Sequence, residues 1–371
     1  MKYPTIRATV VTVLVCLVVV STLRGVHAED LRRLAYQDPV EAGIDFLIQG
    51  EYTGTIVEPY GGPQYVGLQI VARGGGEFEA LFFPGGLPGA GADTERSVSL
   101  AGALDGEAAY LEGEGRGIVA DGFQATLYDS AGNELGQLEK TQRVSPTLGA
   151  PPPPGAIVLF DGQSTENLNN ARVTEEGLLE MGPTTAMPVE DFYLHVEFRL
   201  PFMPYARGQG RGNSGIYIQR RYEVQILDSF GMEPLFDGSG SLYRQQAADV
   251  NGALPPLSWQ TFDIWFRTPR WDDEDNKVEN ARITVLMNGI PIHVDREVID
   301  KTGAGRPEGR EPLPILFQDH RCPVRFQNLW IVMGEVPPPI LAPAVPERAR
   351  PRRPCFPILR RVIQRLRACR S

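Results

Sequence analysis

Short runs that alternate apolar and polar residues recur through this chain, separated by glycine, proline and asparagine turns. Glu77 to Phe83 alternates after the turn Gly74-Gly75-Gly76, and Tyr65 to Val71 precedes that turn as another extended run. Tyr193 to Leu200, Ile216 to Gln219, Tyr222 to Leu227, Gln260 to Phe266, Ala281 to Met287 and Val324 to Val332 read as further strands. Period two is the spacing of a half-buried strand, because successive side chains leave the pleated backbone on opposite faces. Asn288-Gly289, between Ile283–Met287 and Ile290–Val294, predicts a tight hairpin, since both residues tolerate the positive φ of a type I′ turn. The 40 glycines and 32 prolines favour turns and short strands over long helices. Pro39 to Ile48 is the best short helical candidate. The pattern predicts an all-β protein whose larger part is a β-sandwich or jelly roll.

Pro151-Pro152-Pro153-Pro154-Gly155 divides the chain, because consecutive prolines form an extended, semi-rigid connector. Residues 29–150 are read as a smaller β-rich domain, with a hairpin from Gln124–Tyr128 across Asp129–Asn133 to Leu135–Leu138. Nothing in it clusters His, Cys or acidic residues in a way that suggests chemistry. Residues 151–156 are the linker, 157–335 the second domain and 336–371 a Pro- and Arg-rich tail.

Residues 1–28 read as a signal peptide: Lys2 and Arg7, an uncharged apolar run from Ala8 to Val20, then Val26-His27-Ala28 with a small residue for cleavage. The apolar run is short for a spanning helix, which needs roughly 20 residues. The expected destination is outside the cytoplasm, in the periplasm, on the outer surface or in the medium. Cys322, Cys355 and Cys369 would remain after cleavage. Export permits disulfides; Cys355 and Cys369 could pair, while Cys322 reads as a buried, inert thiol.

Charge is unevenly spread. The chain holds 36 basic and 46 acidic residues; removing nine Arg and one acid from 346–371, and three basic residues from 1–28, leaves 24 against 45, or −21, for the body. So acidic a body argues against nucleic acid, whose binding depends on neutralising phosphates. In the tail, Ile358, Leu359, Val362, Ile363 and Leu366 recur at helical spacing among arginines. Such a stretch can lie on an anionic membrane surface or dock on the acidic body.

Two apparent motifs carry little. Gly210-Arg211-Gly212-Asn213-Ser214-Gly215 fits the dinucleotide fingerprint, but strand-like residues follow it where a helix is required. Asp272-Asp273-Glu274-Asp275-Asn276 lacks the glycine and terminal glutamate of a calcium loop and reads as a solvated turn. More telling are polar residues sharing strand faces. Alternation places Glu223 with Gln225, Gln318 with His320, and His195 with Glu197 and Arg199. A solvated sheet face would look similar.

The run Asn213-Ser214-Gly215-Ile216-Tyr217-Ile218-Gln219, continuing through Tyr222-Glu223-Val224-Gln225-Ile226-Leu227-Asp228-Ser229, resembles the 3-keto-disaccharide hydrolase domain family. Trp259–Ile264, Gln318-Asp319-His320, Phe160-Asp161-Gly162 and Val324–Ile331 extend the resemblance over residues ~155–335. It implies a concanavalin-like jelly roll and a carbohydrate substrate. This chain departs from the family at Arg321, where glycine is frequent, at Cys322, where asparagine is common, and at Arg220 in a turn where glycine is frequent.

The implied chemistry is cleavage of a 3-keto glycoside. The ketone acidifies the hydrogen on carbon 2; its removal gives an enolate that expels the group on carbon 1, and water adds to the product. Such a site needs a base, a stabiliser for the enolate oxygen and an acid for the leaving group. The expected base is Glu223 or His320. Gln225, Gln318, Asn213 and Arg199 are expected to hold hydroxyl or enolate oxygens, Asp228 to orient a neighbour or bind a metal, and Tyr217 or Tyr243 to form a stacking wall. A divalent metal could stabilise the enolate, though the sequence does not demand one. The alternative classes are a non-catalytic carbohydrate-binding module and a cell-surface interaction module.

Overall fold

The computed structural model describes residues 28–339. The signal-peptide expectation for 1–28 and those for Cys355, Cys369 and the Arg-rich part of the tail therefore lie essentially outside the described residues. Among the described residues no helix is long and apolar enough to cross a membrane.

The first unit is a closed barrel of eight antiparallel strands in sequence order. They are β1 (Gly50–Val57), β2 (Pro63–Gly74), β3 (Glu77–Pro84), β4 (Val98–Asp105), β5 (Ala108–Gly113), β6 (Arg116–Ala120), β7 (Gln124–Asp129) and β8 (Glu134–Thr141). Tyr52, Ile56, Leu68, Ile70, Phe78, Phe82, Leu111 and Leu127 fill its interior. A small barrel filled this way is a packed core. Two helices precede it, α1 (Ala28–Arg32) and α2 (Pro39–Ile48). Asp38 starts α2, accepting from Val40 N at 2.7 Å, with Pro39 at its first position and a break at Gly43, where φ is 72°. The helix packs onto the barrel core through Ala42 and Ile48, and Lys140 Nζ donates to the Leu47 and Gln49 carbonyls at its end.

The second unit is a two-sheet sandwich. Its strands are β9 (Ile157–Phe160), β10 (Leu168–Asn169), β11 (Leu179–Glu180), β12 (Thr184–Thr185), β13 (Phe192–Arg199), β14 (Asn213–Ile218), β15 (Tyr222–Leu227) and β16 (Trp259–Arg267). Then follow β17 (Arg270–Trp271), β18 (Lys277–Glu279), β19 (Ala281–Met287), β20 (Ile290–Val298), β21 (Leu316–Phe317) and β22 (Arg325–Met333). One sheet runs β10-β12-β21-β14-β15; the other runs β11-β22-β13-β16-β19-β20, with β9 also on β22. Leu194, Val196, Phe198, Phe262 and Ile264 from one sheet meet Ile216, Val224, Ile226 and Phe317 from the other in a single core. This is the all-β jelly roll that the strand spacing predicts, preceded by a smaller β unit. The β19–β20 hairpin turns at Asn288 (φ 54°) and Gly289 (φ 77°), as the Asn-Gly pair requires. Asp272 accepts from the backbone of Glu274 and Asn276 in an exposed turn, the local role expected of that acidic run.

The units are docked. Phe202 of the sandwich joins the barrel core, its ring 5.4 Å from Phe46, and its backbone pairs with Tyr36. Gly231 approaches β2 so closely that a Cβ there would lie 2.2 Å from Val71.

Candidate functional site

Glu223 on β15 stands directly opposite Tyr217 on β14, and Gln225 opposite Gly215. The alternate residues Ile216, Ile218, Val224 and Ile226 enter the core, so these polar residues and Asn213 project from the outer face of the five-stranded sheet. Gln318 continues from β21, its N donating to Gly215 O at 2.8 Å. Beyond the other edge of β15, Gln225 N donates to Ser241 O (3.0 Å) and Tyr243 N to Glu223 O (3.2 Å), which brings Ser241 and Tyr243 alongside.

Loops wall this face so closely that Glu223 is only 2% exposed. The Thr302 hydroxyl accepts from Glu223 N at 2.6 Å. Gly303 then passes the Tyr243 ring, where a Cβ would lie 2.7 Å away. Gln209, in the short turn Gly208–Gly210, accepts from Asn213 Nδ2 at 3.0 Å and meets the Gln225 amide at 3.0 Å. Gly215 matters for its missing side chain: a Cβ would sit 2.3 Å from Glu223 Oε1, where the carboxylate now lies.

Burial pushes the Glu223 carboxyl up to about 7, against a smaller opposing effect of the Tyr217 hydroxyl. The same burial, with Glu223 opposite, pushes the Tyr217 phenol up. At the end of the strand Asp228 is paired with Arg211, Oδ2 accepting from Nη2 at 2.6 Å and from Nε at 3.0 Å. Both side chains are buried.

Among the described residues eleven buried side-chain polar atoms have no hydrogen-bond partner; six belong here: Arg211 Nη1, Asn213 Oδ1, Glu223 Oε2, Asp228 Oδ1, Ser241 Oγ and Gln318 Oε1. Each such atom costs about 1–3 kcal/mol. Concentrating six of them around β14, β15 and β21 is unfavourable for a purely structural surface and suits one that meets a polar ligand.

The structure thus brings together Asn213, Tyr217, Glu223, Gln225, Asp228, Tyr243 and Gln318. It does not bring in Arg199, which projects from β13 on the outer face of the opposite sheet, over the Trp259 ring at 5.2 Å, with the sandwich core between it and Glu223. His320 also departs from expectation. β21 ends at Phe317, so the alternation that pairs Gln318 with His320 stops, and His320 lies exposed in the turn where Arg321 adopts φ 62°. No hydrogen bond of His320 is formed among the described residues. Arg211, Gln209, Ser241 and Thr302 are additions that the sequence pattern did not single out. Arg211 lies two residues before Asn213, in the glycine-rich approach to β14, which was the available hint; Thr302 arrives from a distant loop with no local signal. Asp228 faces a guanidinium, and no group of three His, Cys, Asp or Glu side chains gathers as a metal site among the described residues. Cys322 is buried and unpaired, with Sγ against the backbone of Asn213.

His195 and Glu197 form a different cluster, under the strap that joins the units. His195 Nδ1 meets Asp263 Oδ1 at 2.7 Å and Nε2 meets Glu197 Oε1 at 3.4 Å. The strap binds the same acids: Thr147 Oγ1 donates to Asp263 Oδ2 at 2.7 Å and Gly149 N to Glu197 Oε1 at 2.5 Å. Ala150 O accepts from Trp330 Nε1 at 3.1 Å.

One face of this jelly roll is thus walled by loops and carries unpaired polar atoms around a carboxyl pushed up to about 7. Residues 155–332, somewhat under half of the chain, match the family described as the 3-keto-alpha-glucoside-1,2-lyase-like domain. Among solved structures the chain is similar to three Parabacteroides distasonis proteins provisionally described as glycosyl hydrolases. One is 28% identical, with 49% of this chain and 84% of that one covered and a TM-score of 0.45. The others are 16% identical (49% and 94% covered, TM-score 0.35) and 20% identical (47% and 98% covered, TM-score 0.33). No curated protein matches the chain.

Proposed function

We propose that the face around Glu223 binds a 3-keto glycoside and cleaves its glycosidic bond by elimination followed by addition of water. The observation that carries this reading is the cluster of unpaired buried polar atoms around a carboxyl whose pKa lies near 7. The match of residues 155–332 to a lyase-like glucoside family supports the chemistry.

Glu223 is the base. A carboxylate in contact with C2–H takes that proton, and its raised pKa makes it a stronger base than an exposed glutamate while leaving much of it ionised at neutral pH. The electron pair moves onto the ketone oxygen. The ketone re-forms as the C1–O bond breaks, and the departing oxygen takes a proton from solvent. Water then adds across the C1=C2 double bond, its oxygen to carbon 1, while Glu223 returns its proton to carbon 2. Arg211 Nη1 is the unpaired cationic donor for an enolate oxygen, a part the sequence reading shared among Gln225, Gln318, Asn213 and Arg199. Asn213, Ser241 and Gln318 present atoms that sugar hydroxyls would satisfy. Tyr243, alongside Glu223, offers its ring as a wall for the sugar. Residues 1–28 would direct the protein out of the cytoplasm, where such glycosides would be met.

The test is incubation of purified protein with paired 3-keto and unoxidised glycosides, with product followed by mass spectrometry. Cleavage of the keto forms alone, lost in Glu223→Gln, is the expected result. Saturable binding of both without product would instead make the domain a carbohydrate-binding module. Unchanged turnover in Glu223→Gln would overturn the assignment of the base.

A further inference from the structure

A groove of about 300 Å³ lies where the barrel and the sandwich meet, and none of the residues that line it belongs to the Glu223 face. Its walls come from Tyr36, from Ile44 and Asp45 on α2, from Leu104 at the end of β4, and from Pro204 and Tyr205 of the sandwich. That volume is at the lower end for small-molecule sites. Because Tyr205 belongs to the second unit, the groove is complete only when the units are docked. The Tyr205 ring is fixed by lying against Gly74, where a Cβ would come 2.5 Å from it. Tyr36 is fixed by its two backbone hydrogen bonds with Phe202, at 2.9 and 3.0 Å.

Asp45 is the charged side chain in the lining of this groove; the neighbouring Arg207 guanidinium is turned onto the Pro204 and Ala206 carbonyls, at 2.7 and 2.9 Å. Asp45 accepts a single long hydrogen bond, from Gly76 N at 3.3 Å, and forms no ion pair among the described residues. Burial pushes its carboxyl up. Tyr36 is pushed up by burial and then by Tyr205, Asp45 and Glu41. A half-buried carboxylate without a cation, beside two phenol rings and the apolar Ile44, Leu104 and Pro204, fits a ligand that is positive at its head and apolar around it. The carboxylate supplies the counter-charge, and electron-rich aromatic rings attract a cation.

We propose that this groove is a second ligand site that takes an alkylammonium group. The ammonium faces Asp45, and its carbon substituents lie against Tyr36 and Tyr205. The group can come from a free quaternary amine or from a protonated amino sugar, which share this chemistry.

Calorimetric titration of the full protein tests the site with two matched pairs: choline against 3,3-dimethylbutanol, and glucosamine against glucose. The expected result is saturable binding of at least one cation, ~10-fold or more tighter than its neutral counterpart. Preference for choline assigns a free quaternary amine, and preference for glucosamine an amino sugar. Asp45→Asn should remove the preference, and Asp45→Glu should keep part of it, with thermal melting unchanged in both. The wild-type comparison needs no variant to fold. Equal binding within each pair, no binding by either cation to natively folded protein, or full preference retained in Asp45→Asn would overturn the proposal.

Discussion

Glu223 owes its chemical character to its neighbours. Tyr217, Gly303 and Tyr243 exclude water from it, and Gly215 leaves room for its carboxylate to lie flat on the sheet. With a pKa pushed up to about 7, only the ionised form can take a proton. We therefore expect kcat/KM on a 3-keto glycoside to fall as pH drops through about 7, and Glu223→Gln to lower turnover by ~10²–10⁴-fold. A pH profile of wild type and variant checks both. The buried Arg211–Asp228 pair calls for a second expectation at this scale. Asp228→Asn leaves a buried guanidinium without its counter-charge and should destabilise the fold by about 3–5 kcal/mol, whereas replacing both by apolar residues should cost much less. Urea denaturation of the single and double variants measures the difference.

At the scale of elements, the strap Ser145–Ala150 and the outer face of β13, β16 and β22 form a clamp. Burial alone would lower the His195 pKa, but hydrogen bonds and charge from Asp263 and Glu197 outweigh it and raise it to about 8. Burial would likewise raise Glu197, yet its bonds from His195, Asn328, Gln327 and Gly149 N leave it lowered. A histidine raised from 6.5 to about 8 contributes stability that is complete below about 6.5 and is lost as pH rises through about 8, some 2 kcal/mol in all. The lowered carboxyl works in the other direction: its contribution is present above the ordinary glutamate range and lost as pH falls below it. Limited proteolysis of the strap should therefore be slowest between these limits and speed up above about pH 8. His195→Gln should flatten the alkaline limb. An unaltered limb in that variant would rule out His195 as its cause.

Across the whole molecule the barrel and the sandwich are coupled through Phe202, a sandwich residue seated in the barrel core beside Phe46 and Tyr36. Glu51 strengthens the region on the barrel's outer face, accepting from Gln69 Nε2 at 2.9 Å and Arg143 Nε at 2.7 Å. Removing a buried phenylalanine costs about 3–5 kcal/mol. Phe202→Ala should thus lower stability by that amount and separate one calorimetric transition into two, because the units would lose their shared core. A single transition retained in the variant would show that other contacts at this junction suffice.

Local patterns settled much of this protein. Alternation fixed the strands, because a pleated backbone permits only one assignment of faces once one of them is apolar. Asn288-Gly289 fixed its hairpin through backbone sterics, and Pro39 to Ile48 became the short helix its composition suggested. Glu223, Gln225, Tyr217 and Asn213 were legible as a group for the same reason, being close in sequence on paired strands. Only the tertiary structure could decide that the two polar faces of the sandwich are different places. Face sharing within a strand says nothing about which sheet the strand joins, so Arg199 had looked equivalent to Gln225. His320 leaves the strand alternation because β21 stops at Phe317 and Asp319 accepts from Arg321 N in the turn that follows. Arg211 gained its place by burial with Asp228, and Thr302 by loop packing. The Thr302 contact joins segments far apart in the chain, and pattern within a segment carries no trace of it.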